Sequence, residues 1–101
     1  MPAKIFIDGH AFNNENEYRR YCGLVQLLKE GRIDNFEVNP DYELRVDGSL
    51  VANYAPTFKF FDKMKQQDRY VHMISRGKNQ ALEFKIRLFE ILYHISVERW
   101  G

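Results

Sequence analysis

The sequence predicts an α+β domain, and three observations carry that prediction. Two segments repeat apolar residues at three-to-four spacing, which is typical of helices that bury one face. Several short segments around them alternate between apolar and polar residues, which is typical of strands. Asp-Gly pairs at 8–9 and 47–48 favour tight turns between consecutive strands. We therefore expect antiparallel hairpins with two helices packed on a sheet.

The N-terminal part predicts a hairpin followed by a helix. Two alternating segments flank the first Asp-Gly pair, at 4–7 and 10–12. Asn13 or Asn14 is expected to cap a helix over 17–30, because an Asn side chain accepts hydrogen bonds from the unpaired N–H groups of a first helical turn. Gly31 is expected to end that helix.

The rest of the chain predicts a central sheet, a second helix and a short terminal strand. Strands are expected at 36–38, 42–46, 51–61, 69–75 and 95–100. Pro56 marks a bend, bulge or edge within the third of them. The charged segment 62–68 predicts a solvated connection, and a second helix is expected from a cap at Asn79 to about His94.

Length and composition indicate one domain spanning 1–101. The 101 residues are 45% hydrophobic and 15% aromatic, which is enough for a packed core. The formal net charge of +1 excludes a global basic field but not a local basic patch. Cys22 stands alone in a helical pattern and is expected to be a buried thiol. No apolar run approaches the ~20 residues that span a bilayer, so the sequence predicts no membrane partner and a cytoplasmic location.

Short motifs recur in order along the first two thirds of the chain. They comprise Asp8-Gly9, Phe12, Glu17, Gly31-Arg32-Ile33, Pro40, and Tyr54 followed by Phe58. In this order and spacing the chain resembles a family of small phage-encoded proteins in the PD-(D/E)XK superfamily, the restriction-endonuclease-like and Holliday-junction-resolvase-like nucleases. The resemblance covers about 4–95 and is loosest after 62. It implies a restriction-endonuclease-like fold and a phage-infected or prophage-carrying bacterial cell.

The resemblance also implies where the chemistry of such a nuclease would stand. Those enzymes hold Mg²⁺ with a helix Glu, a strand Asp and an Asp/Glu-x-Lys on the next strand. The four matching positions here are Glu17, Thr57, Ile74 and Arg76. Only Glu17 is an acid as the family pattern requires. Arg76 stays protonated at any working pH, so it cannot act as a base. We therefore expect a degenerate site without a metal or other cofactor, and a protein without catalysis.

Three alternatives remain open at this stage. An active Mg²⁺-dependent endonuclease or resolvase could use Glu17 with displaced acids, for which Glu83-Phe84-Lys85 with Asp62 or Asp68 is the candidate set. A DNA-binding domain without cleavage would contact phosphates through basic side chains near the degenerate site, namely Arg19, Arg20, Lys59, Arg76, Lys78 and Lys85. A protein-interaction or homodimerisation module would use the abundant aromatic residues. His72 abuts the degenerate site, and a plain surface histidine is the expected role.

Overall fold

The computed structural model describes residues 5–74 and 79–101. Within them the chain forms ten elements in the order β1 Ile5–Ile7, β2 His10–Phe12, α1 Glu15–Lys29, β3 Ile33–Val38, β4 Tyr42–Val46, β5 Ser49–Tyr54, β6 Phe58–Asp62, β7 Gln67–Met73, α2 Gln80–Tyr93 and β8 Val97–Trp100. The prediction of an α+β fold with two helices is confirmed. None of the helices in this part of the chain is long and apolar enough to cross a membrane.

A four-stranded mixed sheet forms the centre of the fold, in the order β3-β6-β7-β8. The first three strands are antiparallel neighbours, whereas β8 runs parallel to β7 after the α2 crossover. The strand pairs β1–β2 and β4–β5 are separate two-stranded hairpins. Their turns, Asp8-Gly9 and Asp47-Gly48, have positive φ at both residues, as two-residue hairpin turns require.

The prediction of one strand over 51–61 is wrong. The segment divides at residues 55–57 into β5, which pairs with β4, and β6, which joins the central sheet. Pro56 is buried at this division and has no N–H to donate to a ladder. The proline therefore ends one strand and passes the chain to a different sheet, rather than bending a single strand.

Both helices are capped as the sequence predicted. The side chain of Asn14 accepts from the N–H of Glu17 at 2.9 Å, which starts α1 two residues before the predicted boundary. Asn79 caps α2 in the same way by accepting from Leu82 N–H at 3.1 Å. Gly31 adopts φ +75 directly after the first helix, the left-handed conformation that suits glycine at a helix end.

Strand alternation divides the central sheet into two faces with separate apolar clusters. One face carries Phe58, Phe60, Val71 and Met73, which pack with α1 and β2; we call it the α1 face. The other carries residues of opposite parity in β7 and β8, which pack with α2 and the β4–β5 hairpin; we call it the α2 face. The central sheet therefore lies between two layers, and each layer positions a different set of polar side chains.

Two further expectations, one about Cys22 and one about the segment 62–68, are wrong. Cys22 is exposed, because it lies outside the side of α1 that packs on the core. The segment 62–68 is not solvated throughout, since Asp62 is buried and organises a tight turn. Its Oδ1 accepts from the N–H groups of Met64 and Lys65, at 2.9 and 3.1 Å.

Candidate functional site

Glu17 occupies the third position of α1 and is only 6% exposed. Its two carboxylate oxygens accept from the backbone N–H and side-chain Nδ2 of Asn13, at 3.2 and 3.1 Å. Together with the Asn14 cap, these bonds resemble the reciprocal capping arrangement of a helix start. Glu17 thus has a structural role in the N-terminus of α1, whatever else it does.

Thr57 lies at the division between β5 and β6 and is 6% exposed. Its Oγ1 accepts from the N–H of Met73 at 2.9 Å, while its own N–H donates to Val71 O at 2.8 Å. Its carbonyl accepts from Asn39 N–H at 3.0 Å. The hydroxyl therefore extends the β6–β7 ladder by one bond, and its oxygen already accepts a hydrogen bond within the protein.

Thr57 and Ile74 lie together at one end of the central sheet, because Ile74 directly follows Met73. The Ile74 side chain is 49% exposed and its N–H donates to Trp100 O at 2.7 Å. Glu17 is close enough for its charge to raise the pKa of His72, the neighbour of Met73 in β7. Arg76 and Lys78 lie outside the described residues.

These positions do not supply the donor set that Mg²⁺ needs. Mg²⁺ requires near-octahedral oxygen ligands and is held by carboxylates. Ile74 offers no ligand atom, and the one Thr57 side-chain oxygen already accepts a hydrogen bond. Among residues 5–74 and 79–101, no group of three or more His, Cys, Asp or Glu is arranged to hold a metal ion.

The candidate displaced acids are not brought together. Asp62 ends β6 and Asp68 pairs with Phe61, so both lie at the far end of the strand from Phe58. Four residues of strand separate that end from the Thr57 end, or about 13 Å. Glu83 and Lys85 lie in the first part of α2, where they are two positions apart and do not share a helix face.

The described candidates for phosphate contact are divided between the two faces. Arg19 and Arg20 are exposed on α1, where the first pairs with Glu15 at 2.9 Å and the second lies 5.1 Å over the Trp100 ring. Lys59 points to the α2 face, pairs with Glu37 at 3.4 Å and lies 5.8 Å over the Tyr70 ring. Lys85 is half-buried in α2. The described members therefore do not form one continuous basic patch.

A polar cluster on the α2 face was missed by sequence reasoning. The Tyr54 hydroxyl and the Nδ1 of His72 are 2.9 Å apart, with their rings stacked at 5.7 Å. Tyr54 is buried, and His72 is half-buried rather than a plain surface residue. These residues belong to different hairpins, 18 positions apart, so no local pattern in the sequence announces their contact.

Arg99 extends this cluster on β8, where it pairs in register with His72. Its Nη2 forms an ion pair with Glu83 of α2 at 3.0 Å. Burial lowers the pKa of His72, and the charge of Arg99 lowers it further, whereas the charges of Glu17 and Glu83 raise it. Burial also raises the pKa of Tyr54 well above its usual range. Both side chains of the Tyr54–His72 pair are therefore neutral near pH 7.

A second arginine, Arg69, lies on the α1 face and is tightly held. Its Nε donates to Glu98 at 2.7 Å and its Nη1 to Asp62 at 3.1 Å. Its guanidinium also lies over the rings of Phe60 and Trp100, at 5.2 and 5.9 Å. An open cleft of about 650 Å³ adjoins this network, but its lining mixes basic and acidic side chains and lies away from Thr57.

Comparison with known proteins identifies a family but no function. A family model described as "Protein of unknown function (DUF1064)" matches residues 2–100. Searches of curated proteins and of solved structures gave no match. Because the model covers nearly the whole sequence, the chain belongs to the DUF1064 family.

Proposed function

We propose that this protein is a degenerate restriction-endonuclease-like domain that binds DNA through its phosphate backbone without cutting it. The order of elements supports this proposal: a hairpin, a helix, a central mixed sheet, a second helix and a terminal strand. That is the order which the resemblance to small phage-encoded PD-(D/E)XK proteins implies. The biological setting in the proposal is phage DNA metabolism in the bacterial cytoplasm.

The hydrogen bonding of Thr57 is the observation that supports a domain without cleavage activity. At the position where such a nuclease holds its strand Asp, this chain buries a hydroxyl whose oxygen accepts from Met73 N–H. Ile74 stands at the next acid position and offers no ligand. Removing two carboxylates from this end of the sheet also removes repulsion toward phosphate, which favours binding without cleavage.

Basic side chains on both faces of the central sheet supply the proposed contacts. Arg19 and Arg20 are exposed on α1, and Lys59 and Lys85 lie on the opposite face. Arg76 and Lys78 are included on sequence grounds alone. Contacts of this kind give affinity that falls steeply with salt and carries little sequence preference.

Fluorescence anisotropy of labelled DNA tests the proposal. A four-way junction and a linear duplex of matched length are titrated with protein at low and moderate salt in the presence of Mg²⁺, and the DNA is then run on a denaturing gel. We expect salt-sensitive binding and intact DNA. Arg76→Ala with Lys78→Ala should weaken binding, whereas Lys29→Ala with Lys63→Ala removes two lysines away from the site and serves as the matched control.

Each other outcome has a definite meaning. Cut DNA supports the active-enzyme alternative, in which Glu17 works with displaced acids and Mg²⁺. Equal affinity of the two double variants removes Arg76 and Lys78 from the contact surface. No binding at low salt contradicts the DNA proposal altogether.

A protein-interaction or homodimerisation role is the second candidate, and exposed apolar residues favour it. Phe84 and Ile91 lie seven positions apart on α2, on its solvent side, and both are mostly exposed. Residues one heptad apart share a helix face, so they form a short apolar stripe. Sedimentation at several concentrations tests this role: a dimer that Phe84→Ser with Ile91→Ser abolishes would support it, and a monomer at every concentration would contradict self-association.

A further inference from the structure

We propose that His72 and Arg99 form a contact site for one nucleic-acid phosphate on the α2 face, closed in the free protein by Glu83. The inference rests on the proposed DNA-binding function and names a contact that the sequence did not suggest. It requires a fixed hydrogen-bond donor, an adjacent cation and a weak competitor, and the structure provides each of them.

Tyr54 fixes the donor on His72. Within the part of the chain that the structure describes, the buried Tyr54 hydroxyl has one hydrogen-bond partner, the Nδ1 of His72 at 2.9 Å. A buried hydroxyl that left its own proton unpaired would lose about 1–3 kcal/mol. The hydroxyl therefore donates and Nδ1 accepts, so the proton of the neutral imidazole resides on Nε2. In the described residues Nε2–H has no protein acceptor, and it is a ready donor to an anion.

Arg99 places a cation beside that donor. The two residues are register partners on adjacent parallel strands, about 5 Å apart along the hydrogen-bonding direction. Both side chains point to the α2 face, since each lies two strand positions from a member of the α2-face cluster, Tyr70 or Val97. A guanidinium next to an imidazole N–H matches two oxygens of one phosphate.

Glu83 is the competitor that closes the site. Its carboxylate pairs with Arg99 at 3.0 Å, and the two side chains are 55% and 33% exposed. An exposed pair of this kind contributes about 0–1 kcal/mol, so a phosphate can displace it. The charge of Glu17 also raises the pKa of His72, but both of the Glu17 oxygens accept hydrogen bonds from Asn13. We therefore expect a weak, salt-sensitive contact rather than a tight isolated anion site.

Imidazole NMR tests the site without DNA. Long-range ¹H–¹⁵N spectra should show His72 as the Nε2–H tautomer, and Tyr54→Phe should release that preference. Inorganic phosphate should shift the Nε2 resonance saturably, and Glu83→Gln should tighten this binding by about threefold, in line with the removal of a weak competing pair. Arg99→Gln should abolish the shift, while Arg45→Gln, which breaks a similar exposed pair with Glu43, should leave it intact.

DNA titration supplies the second arm. Arg99→Gln should weaken duplex binding by about tenfold and reduce the salt slope by about one, the values expected for loss of one phosphate contact. His72→Gln should weaken binding less, and His94→Asn, at the exposed end of α2, serves as its control.

The two arms separate failure of this site from failure of the proposed function. DNA that binds equally well to wild type, Arg99→Gln and His72→Gln overturns the site while leaving the DNA-binding proposal in place. An Nδ1–H tautomer, or an Nε2 resonance that phosphate does not move even in Glu83→Gln, also overturns the site. Wild-type protein that binds phosphate at His72 but no DNA contradicts the proposed function and the nucleic-acid part of this inference.

Discussion

Arg69 and Arg99 lie on opposite faces of the same sheet and differ in how they are held. Arg69 is 20% exposed, pairs with both Asp62 and Glu98 and lies over two aromatic rings. Arg99 has one described acidic partner, Glu83, and is more exposed. Arg69 is held between two carboxylates, of which Asp62 is the more buried, so its removal leaves both without a cation. Arg99 pairs with Glu83 alone among the described acids, and water or an anion can replace that carboxylate.

Arg69 carries a charge that the folded structure neutralises, whereas the charge of Arg99 remains available to a ligand. Sequence alone gives both arginines the same setting, an alternating strand rich in charged residues. Partner number and burial distinguish them, and these depend on which strands become neighbours. Removing an arginine from two partly buried acids leaves uncompensated charges, whereas an arginine with a single exposed acid can exchange that acid for a ligand.

Loss of Arg69 should give the largest effect on stability. Arg69→Gln leaves Asp62 and Glu98 partly buried without their cation, and we expect the free energy of unfolding to fall by about 3 kcal/mol. Urea unfolding measures this. Arg45→Gln is the control and should change the value by less than about 0.5 kcal/mol, because its pair with Glu43 is exposed. Equal effects of the two substitutions would contradict the distinction between the two arginines.

Removal of the Thr57 hydroxyl should be the next largest effect. Thr57→Val keeps the shape but leaves the buried Met73 N–H without its acceptor, which should cost about 2 kcal/mol in the free energy of unfolding. Thr57→Ser retains the hydroxyl and should cost clearly less. If the Thr57→Val protein is as stable as the Thr57→Ser protein, the hydroxyl is not part of the β6–β7 ladder.

Acid should destabilise the protein in two steps, one from each face. The pKa of His72 lies below its ordinary 6.5, so the unfolded chain takes up a proton first and stability falls as pH decreases below about 6.5. The pKa values of Asp62 and Glu98 are also lowered, chiefly by backbone and Arg69 hydrogen bonds, and their contribution is lost as pH falls through those depressed values, below about 4.

Urea unfolding at a series of pH values resolves the two steps. His72→Gln should remove the upper step and keep the lower one. Arg69→Gln should reduce the lower step and keep the upper one. A His72→Gln protein that still loses stability between pH 6.5 and 5 would assign that step to another group.

Removal of Arg99 should have the smallest effect on stability. Arg99→Gln breaks one exposed pair, and we expect a change of about 0.5 kcal/mol or less in the free energy of unfolding. The same substitution should weaken DNA binding, so DNA affinity should fall while the free energy of unfolding stays nearly unchanged. A loss of stability close to that of Arg69→Gln would make Arg99 a structural residue like its counterpart.

Local signals predicted much of the fold. Asn14, Asn79 and the two Asp-Gly turns act through bonds within a few residues, so their roles follow from spacing alone. The division at Pro56 was not predicted, because a proline is compatible with either a bend or a change of sheet. The exposure of Cys22 was not predicted either, because it depends on which side of α1 meets the core.

The candidate site was predicted only in part, because some of its contacts depend on how distant elements pack together. Positions 57 and 74 follow from matched motifs, and the structure joins them through Met73. The Tyr54–His72 contact depends on the packing of the β4–β5 hairpin against the α2 face, which no sequence spacing encodes. The sequence grouped Lys59 with Arg19, and their separation could not be predicted because it depends on which face each residue occupies.

Metal binding by a double variant tests most directly whether Glu17, Thr57 and Ile74 are the remnant of a metal site. Thr57→Asp with Ile74→Glu restores both missing acids, and Asp can still accept from Met73 N–H. With folding verified by circular dichroism, Mn²⁺ uptake is measured by titration calorimetry against wild type. The account predicts saturable Mn²⁺ binding in the double variant that Glu17→Gln removes, and none in wild type. A folded double variant that takes up no Mn²⁺ would contradict it.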